Sequence, residues 1–320
     1  MIGNLNMTRW LVAGASGMVG RAVVRNAKNR GVSEIIEVTS KSCDLTNLQK
    51  TRQLLLETKP DVVIDAAAKV GGIFANSAEP VEFMVNNLQI QINLFSASHE
   101  ANVKKVVFLS SSCVYPKYAQ QPIKESSLLS GPLEETNSAY ALAKISGMRL
   151  IQAYRQQYGR KWISVMPTNL YGAFDNFSLN SSHVLPALIR KFHDAKEENK
   201  KMVLLWGSGT PKREFMEVDD FANALALIID NYENDESINV GVGEDQTISE
   251  VAEIVKQVVG FKGDIIWDQA KPDGTPRKLL DITKLKNLGF VPSNNLIEGV
   301  TKTYAWFLDR IGEKSPDLRL

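Results

Sequence analysis

The stretch Trp10-Leu-Val-Ala-Gly14-Ala-Ser-Gly17-Met-Val-Gly20 constrains the fold of this chain more than any other. A short apolar run reads as a buried strand, glycines recur at three-residue spacing, and an amphipathic helical pattern runs from Met18 to Gly31. A tight strand-to-helix turn uses glycines in this way. They admit a sharp bend, let the helix pack closely on the strand, and leave the N–H groups of a helix N-terminus open to an anion. The spacing is GxxGxxG where GxGxxG is the commoner form. The turn predicts a pyrophosphate cradle at Gly14, Ser16, Gly17, Met18, Val19 and Gly20.

The same rhythm continues downstream. Strands are predicted at Trp10–Ala13, Ile35–Thr39, Val62–Ala66, Val106–Ser110 and Ile163–Met166. Helices are predicted over Met18–Gly31, after Thr46 and Asn47, over Val81–Ala101 and over Ala139–Gln157. Alternation of this kind predicts an α/β fold with a doubly wound parallel sheet, a Rossmann dinucleotide-binding domain. After Thr168 the pattern loosens into Gly, Asn, Pro and Ser, with separate helical segments at His183–Asn199, Asp220–Asn231, Ile248–Val259 and Leu296–Arg310. These predict a smaller, discontinuous α+β substrate lobe. The expected division is 7–172 for the dinucleotide-binding domain and 173–320 mainly for the lobe. Parts of 214–240 and 282–310 are expected to rejoin the first sheet, because Val218–Asn231 has the apolar periodicity of a packed helix.

Composition narrows the partners. With 37 basic and 36 acidic side chains in 320 residues, the formal charge is +1, which predicts no nucleic-acid and no membrane partner. Cys43 and Cys113 cannot build a disulfide framework and sit in no CxxC or Cys/His metal spacing, so no metal is expected and a reducing compartment is. Met1–Met7 is polar, without a basic-then-apolar leader, and no apolar run approaches the roughly 18 residues of a membrane span. The expected location is cytoplasmic.

The end of the second predicted strand bears on the cofactor. NAD enzymes commonly place a carboxylate there for the ribose hydroxyls. This chain reads Val38-Thr39-Ser40-Lys41-Ser42, with hydroxyls and a lysine that suit the extra phosphate of NADP; Lys41 also reads as a solvated loop lysine. Asp44 and Leu45 follow where an adenine would rest.

Chemistry enters after the fourth predicted strand, at Ser111-Ser-Cys-Val-Tyr-Pro116, and at Tyr140-Ala-Leu-Ala-Lys144. Positions i and i+4 share a helix face, so Tyr140 and Lys144 point into one space. An ammonium beside a phenol is expected to pull it below its usual value of about 10, making a proton donor and acceptor, with Ser111 bonding the reacting oxygen.

On these residues the first half resembles the extended short-chain dehydrogenase/reductases. More narrowly, the chain resembles the GDP-L-fucose synthases, enzymes that epimerise and reduce GDP-4-keto-6-deoxy-D-mannose. The matching stretches are Ala66-Ala-Ala-Lys-Val-Gly-Gly-Ile73, Ser111–Pro116, Pro167-Thr-Asn-Leu-Tyr-Gly172 with Asp175-Asn-Phe177, Ser182-His-Val-Leu-Pro186, Trp206-Gly-Ser-Gly-Thr-Pro211 with Arg213-Glu-Phe215, and Lys271-Pro-Asp-Gly-Thr-Pro-Arg-Lys-Leu-Leu-Asp281. They cover almost the whole chain, and the last three fall in the expected substrate lobe.

The resemblance implies a Ser111/Tyr140/Lys144 triad and a homodimer built on the helices Val81–Ala101 and Ala139–Gln157. It implies NADPH contacts from Ala66, Ala67 and Ala68, from Leu109, Ser110 and Ser111, from Pro167, Thr168, Asn169 and Leu170, and from Tyr140, Lys144 and His183. A 4-keto sugar has acidified protons at C3 and C5, so each inversion needs a base on one face and an acid on the other. The resemblance assigns Cys113 as base and His183 as acid; alone, each also reads as a structural cysteine and a helix-cap histidine. For the GDP-sugar it implies Ser111, Ser112, Cys113, Asn169, Lys191, Trp206, Arg213, Asp273 and Lys278. Lys191 and Lys278 also read as surface charges, and Trp206 as packing. Some relatives carry arginines where this chain has Ser16 and Ser40, so NADP preference rests on Lys41, the hydroxyls and the missing acid.

Two other readings use the same scaffold. An NAD-dependent sugar-nucleotide 4-epimerase or 4,6-dehydratase needs no Cys113/His183 pair, and a dehydratase wants acidic residues where Ser112-Cys113 stands. A non-catalytic dinucleotide-binding scaffold needs no intact Ser111, Tyr140 and Lys144.

Overall fold

A computed structural model describes residues 9–179, 181–271, 273–313, 315 and 317–320. Met7 and Thr8, where the first expected domain begins, lie outside the described residues. The N-terminal half runs β1 (Arg9–Ala13), α1 (Met18–Asn29), β2 (Glu34–Val38), α2 (Leu48–Thr58), β3 (Val62–Asp65), α3 (Ile73–Ala78), α4 (Pro80–Glu100), β4 (Lys105–Leu109), α5 (Ser138–Tyr158), β5 (Ile163–Pro167) and β6 (Asn169–Tyr171). The remainder runs α6 (Val184–Glu197), β7 (Met202–Trp206), β8 (Lys212–Arg213), β9 (Phe215–Glu217), α7 (Val218–Asn231), β10 (Ile238–Val240), β11 (Gln246–Thr247), α8 (Ile248–Val259), β12 (Asp264–Asp268), β13 (Arg277–Lys278), α9 (Thr283–Asn287) and α10 (Leu296–Gly312).

A six-stranded sheet in the order β10-β5-β4-β3-β1-β2 holds the fold together, and every pairing in it is parallel. Its inner strands are continuous apolar runs, buried at every position of β3, because helices cover both faces. The strand order reverses between β1 and β3, which opens a crevice at the carboxyl ends of the strands. Register brings Ala13 opposite Asp65 and Val38, and Leu109 opposite Val165, so the residues that follow these strands gather along one edge.

On one face α4 and α5 lie side by side; on the other α1 packs against α7. The α1–α7 seam is apolar inside, with Val218, Phe221 and Leu225 buried, and is stitched outside by Asn26 to Asn223 at 2.7 Å and by the ion pairs Arg25–Asp219 and Arg30–Asp230. A separate apolar cluster gathers α6, α8 and α10 around Phe177, Phe192, Phe261 and Phe307. The segments between β6 and α10 also contain short pairings that the sequence pattern does not predict: β6 with β9, β7 with β12, and the three-stranded β11-β8-β13. Most have two or three residues, too few for a period of two to register. Among the described residues, no helix is long and apolar enough to cross a membrane.

Candidate active site

The glycine turn separates two kinds of glycine. Gly14 has φ +79°, and a Cβ on it would stand 2.7 Å from the Ala66 carbonyl oxygen. One on Gly20 would stand 2.2 Å from the Gly14 oxygen. Packing of α1 against the sheet therefore demands both. Gly17 differs: it is the N-cap of α1, makes no side-chain cap, and a Cβ there would meet only the Gly14 oxygen, at 3.4 Å. The protein needs no glycine at that point, but a phosphate approaching the helix N-terminus does, and the residues present fit a dinucleotide pyrophosphate. Arg21, one turn in, donates to the Ser16 carbonyl at 3.1 Å, pairs with Asp317 at 2.8 Å and stacks 4.3 Å over Phe174; sequence reading overlooks this cation.

At the end of β2, Ser42 Oγ accepts from Thr39 N at 2.9 Å and donates to the Thr39 carbonyl at 3.1 Å, leaving Ser40 and Lys41 exposed at the tip. Asp44 accepts from Thr46 Oγ1 at 2.7 Å and Thr46 N at 3.0 Å, bonds that hold its carboxyl below the usual carboxylate range. Leu45 beside it is buried, and its carbonyl accepts from Asn93 at 2.9 Å.

Ser111 follows β4 and caps the one-turn helix Ser112–Val114, its Oγ accepting from Cys113 N at 3.2 Å and bonding Tyr140 as well. Lys144 shares the Tyr140 face of α5, with its Nζ 5.9 Å from the ring centre. The expected lowering of the phenol is not found. Burial, then the charge of Cys113, push Tyr140 up, with only the Ser111 bond opposing. Lys144 instead donates to the Leu109 carbonyl at 2.8 Å, and burial brings it down to about 8 against the opposing charge of Asp65. At neutral pH this leaves a protonated phenol, the form that gives a proton.

Tyr140 and His183 both keep solvent-accessible surface while protein crowds them, as side chains facing into a cleft do. His183 is the N-cap of α6 without a side-chain cap bond, and crowding, then the charge of Lys278, hold its imidazole below the usual value. Cys113 Sγ receives Asn137 Nδ2 at 3.4 Å and Lys278 Nζ at 3.8 Å, and Arg213 interacts with the same thiol. Ser111, Cys113, Tyr140, His183, Arg213 and Lys278 thus converge. Asn137, at the start of α5, is a neighbour of the thiol that sequence reading does not single out.

A second group lies beyond. Trp206 is 64% exposed, with Lys191 at 5.8 Å and Lys271 at 5.3 Å over its ring. Asp273 accepts from Ser208 N at 2.6 Å and Ser208 Oγ at 2.8 Å, so its carboxylate fastens the turn after Trp206. Between the two groups, Thr168 Oγ1 and Asn169 Nδ2 donate to the carbonyl of Glu214 at 3.1 and 2.8 Å, tying the end of β5 to the residue next to Arg213.

Residues 10–241 match the NAD dependent epimerase/dehydratase family. The chain is 51% identical over 303 residues to a putative GDP-L-fucose synthase 2 of Arabidopsis thaliana, covering 95% of this chain and 92% of that protein. It is 46% identical to the GDP-L-fucose synthase of Escherichia coli K12, with 95% and 98% covered. Among solved structures, a GDP-L-fucose synthetase from Naegleria fowleri bound to NADP superposes with a TM-score of 0.90 at 31% identity, covering 98% of this chain and 95% of that one.

Proposed function

The chain belongs to the NAD dependent epimerase/dehydratase family, and from that premise we propose that Cys113 and His183 invert C3 and C5 of GDP-4-keto-6-deoxy-D-mannose before Tyr140 protonates the C4 oxygen. The product is GDP-L-fucose and the cofactor is NADP, as for its full-length relatives. NADPH, when bound, supplies the hydride that reduces C4.

The chain's own groups do the rest. Ser111 and Tyr140 hold the C4 oxygen, and electron withdrawal through that carbonyl acidifies the protons on C3 and C5. Cys113, as thiolate, takes the proton from one face; His183, as imidazolium, returns one to the other. Tyr140 then gives its proton to the C4 oxygen as reduction occurs, with Lys144 fixed behind it on the Leu109 carbonyl. The observation that carries this reading is the convergence of Cys113 with Ser111, Tyr140 and the cations Arg213 and Lys278, with Ser112-Cys113 following the serine where a dehydratase would want acidic residues.

Around this centre we assign the cofactor to Gly14, Ser16, Gly17, Met18, Val19 and Gly20, to Ser40, Lys41, Asp44 and Leu45, and to the strand-end residues Ala66–Ala68, Leu109–Ser111 and Pro167–Leu170. Arg213 is the firmest ligand for the diphosphate, with Trp206, Lys191 and Asp273 toward the base and Asn169 toward the sugar. The lobes are assigned as 7–172, rejoined by parts of 214–240 and 282–310, and mainly 173–320, a division supported by the two separate apolar clusters. We also infer a homodimer through α4 and α5, supported by the exposed Val81, Val85 and Ile92 on the one and Leu142 on the other, and a cytoplasmic location.

Incubating the enzyme with substrate and NADPH in deuterated water tests the reading: C3 and C5 take up label, and the product sugar is fucose. Full labelling by Cys113→Ser would remove the base assignment.

A further inference from the structure

Arg213 and Lys278 are register partners in the parallel pairing of β8 with β13, so a two-residue ladder delivers two cations to the cleft. Their surroundings differ. Arg213 donates to the Lys212 carbonyl at 2.8 Å and interacts with the charge of Cys113 and then with that of Asp273. Lys278 Nζ lies 3.8 Å from Cys113 Sγ. Among the described residues it has no carboxylate within ion-pair distance, whereas its neighbour Arg277 is spent on Asp245 at 2.6 Å.

Arg213 is a second cation that acts on the thiol, but of the two it is Lys278 that contacts the sulfur directly among the described residues. Lys117, Glu134 and Arg277 line the same small cavity, but Glu134 accepts from Thr136 N at 3.0 Å and Arg277 is already paired. Tyr140 is uncharged at neutral pH, and Asn137 offers an amide hydrogen without charge. Lys278 also acts on His183, opposing charge on the imidazole.

We propose that Lys278 is the counter-cation of the Cys113 thiolate and sets the charge states of the acid–base pair that inverts C3 and C5. This goes beyond holding a phosphate, and it rests on the reading of Cys113 as base. The physical basis is that a thiolate accepts the proton and a cation within about 4 Å favours it over the thiol. The same cation makes an imidazolium at His183 the readier donor. In the step itself the thiolate gains the carbon-bound proton, the electron pair is left in the enolate toward C4, and His183 loses its proton to the opposite face; solvent then returns the thiol's proton to the imidazole. Atoms and charge balance, and no oxidant is involved.

Alkylation of the intact protein with iodoacetamide, followed at the Cys113 peptide by mass spectrometry, reads thiolate formation without turnover. Lys278→Met should slow alkylation at pH 7 several-fold, while Lys278→Arg, which keeps the charge, recovers most of the rate. Should the Met variant not fold, Lys278→Gln carries the same expectation. A wild-type rate in the Met or Gln variant between pH 6 and 9 overturns the proposal, as does equal slowing by Arg and Met. Full deuterium labelling by Cys113→Ser would remove the base assignment and leave the alkylation result standing, so the two failures are separable.

Discussion

Tyr115 donates its phenol hydrogen to Asn239 Oδ1 at 2.6 Å, and both residues are buried. Asn239 is the centre of β10, and its amide donates onward to the carbonyls of Ile123 at 2.9 Å and Asp281 at 3.1 Å. The segment that carries Ser111 and Cys113 is thereby fastened to the strand that closes the sheet and to the chain just after Lys278. Replacing Tyr115 by Phe strands a buried carbonyl oxygen, which costs about 1–3 kcal/mol. A lower urea midpoint at unchanged slope is the expected result. An unchanged midpoint would mean that the network does not stabilise the fold.

A second prediction concerns pH. Asp175 is buried, accepts from Asn176 N at 2.7 Å, and leaves its other oxygen without a partner; burial pushes its carboxyl up to about 7. The folded state therefore binds this proton more tightly than the unfolded chain does. Stability linked to Asp175 is complete below about pH 4 and is lost as pH rises through about 7. Asp175→Asn cannot ionise, so relative to wild type it should gain of order 2–4 kcal/mol between pH 4 and pH 8. Urea titrations of both proteins at the two pH values measure this, and a constant difference would place the proton elsewhere.

A third prediction separates the two chemistries. If Tyr140 supplies the C4 proton, Tyr140→Phe should cut reduction by about 10²–10⁴. Deuterium should still enter C3 and C5, though more slowly, because Cys113, His183 and the Ser111 hold on the C4 oxygen remain. Loss of both activities together would tie the phenol to the inversions as well.

How much of this site is legible in the sequence follows from what fixes each residue. Local geometry fixes the helical spacing of Tyr140 and Lys144 and the glycine turn, and both can be read directly. Their electrostatics cannot, because the charges that act come from elsewhere: Lys144 turns to Leu109, 35 residues away, and the phenol responds to burial before any cation. The bond between Lys278 and Cys113 spans 165 residues and depends on the two-residue strands β8 and β13, which no periodicity announces. Trp206 and Asp273 are found only through resemblance, and sequence reading does not foresee that Asp273 fastens Ser208.

The glycine turn gives a contrast within a single motif. Gly20→Ala would drive a methyl to 2.2 Å from the Gly14 oxygen and 2.7 Å from the Ala15 Cα, both backbone, so α1 must lift from the sheet. A loss of about 1–3 kcal/mol or more is expected, as for other overpacked sites, and every activity falls with it. Gly17→Ala meets only the Gly14 oxygen, at 3.4 Å, and the cap has φ −77° and ψ 167°, a backbone open to any residue. Its melting temperature without ligand should stay within a degree or two of wild type, in line with a change of under about 0.5 kcal/mol. Its NADPH affinity should fall about tenfold or more, because the methyl occupies the approach to the helix N-terminus. Calorimetric titration of NADPH alongside melting of the free protein separates the cases. A Gly17→Ala protein that melts early would make Gly17 a packing residue, and one that binds NADPH normally would move the pyrophosphate off this turn.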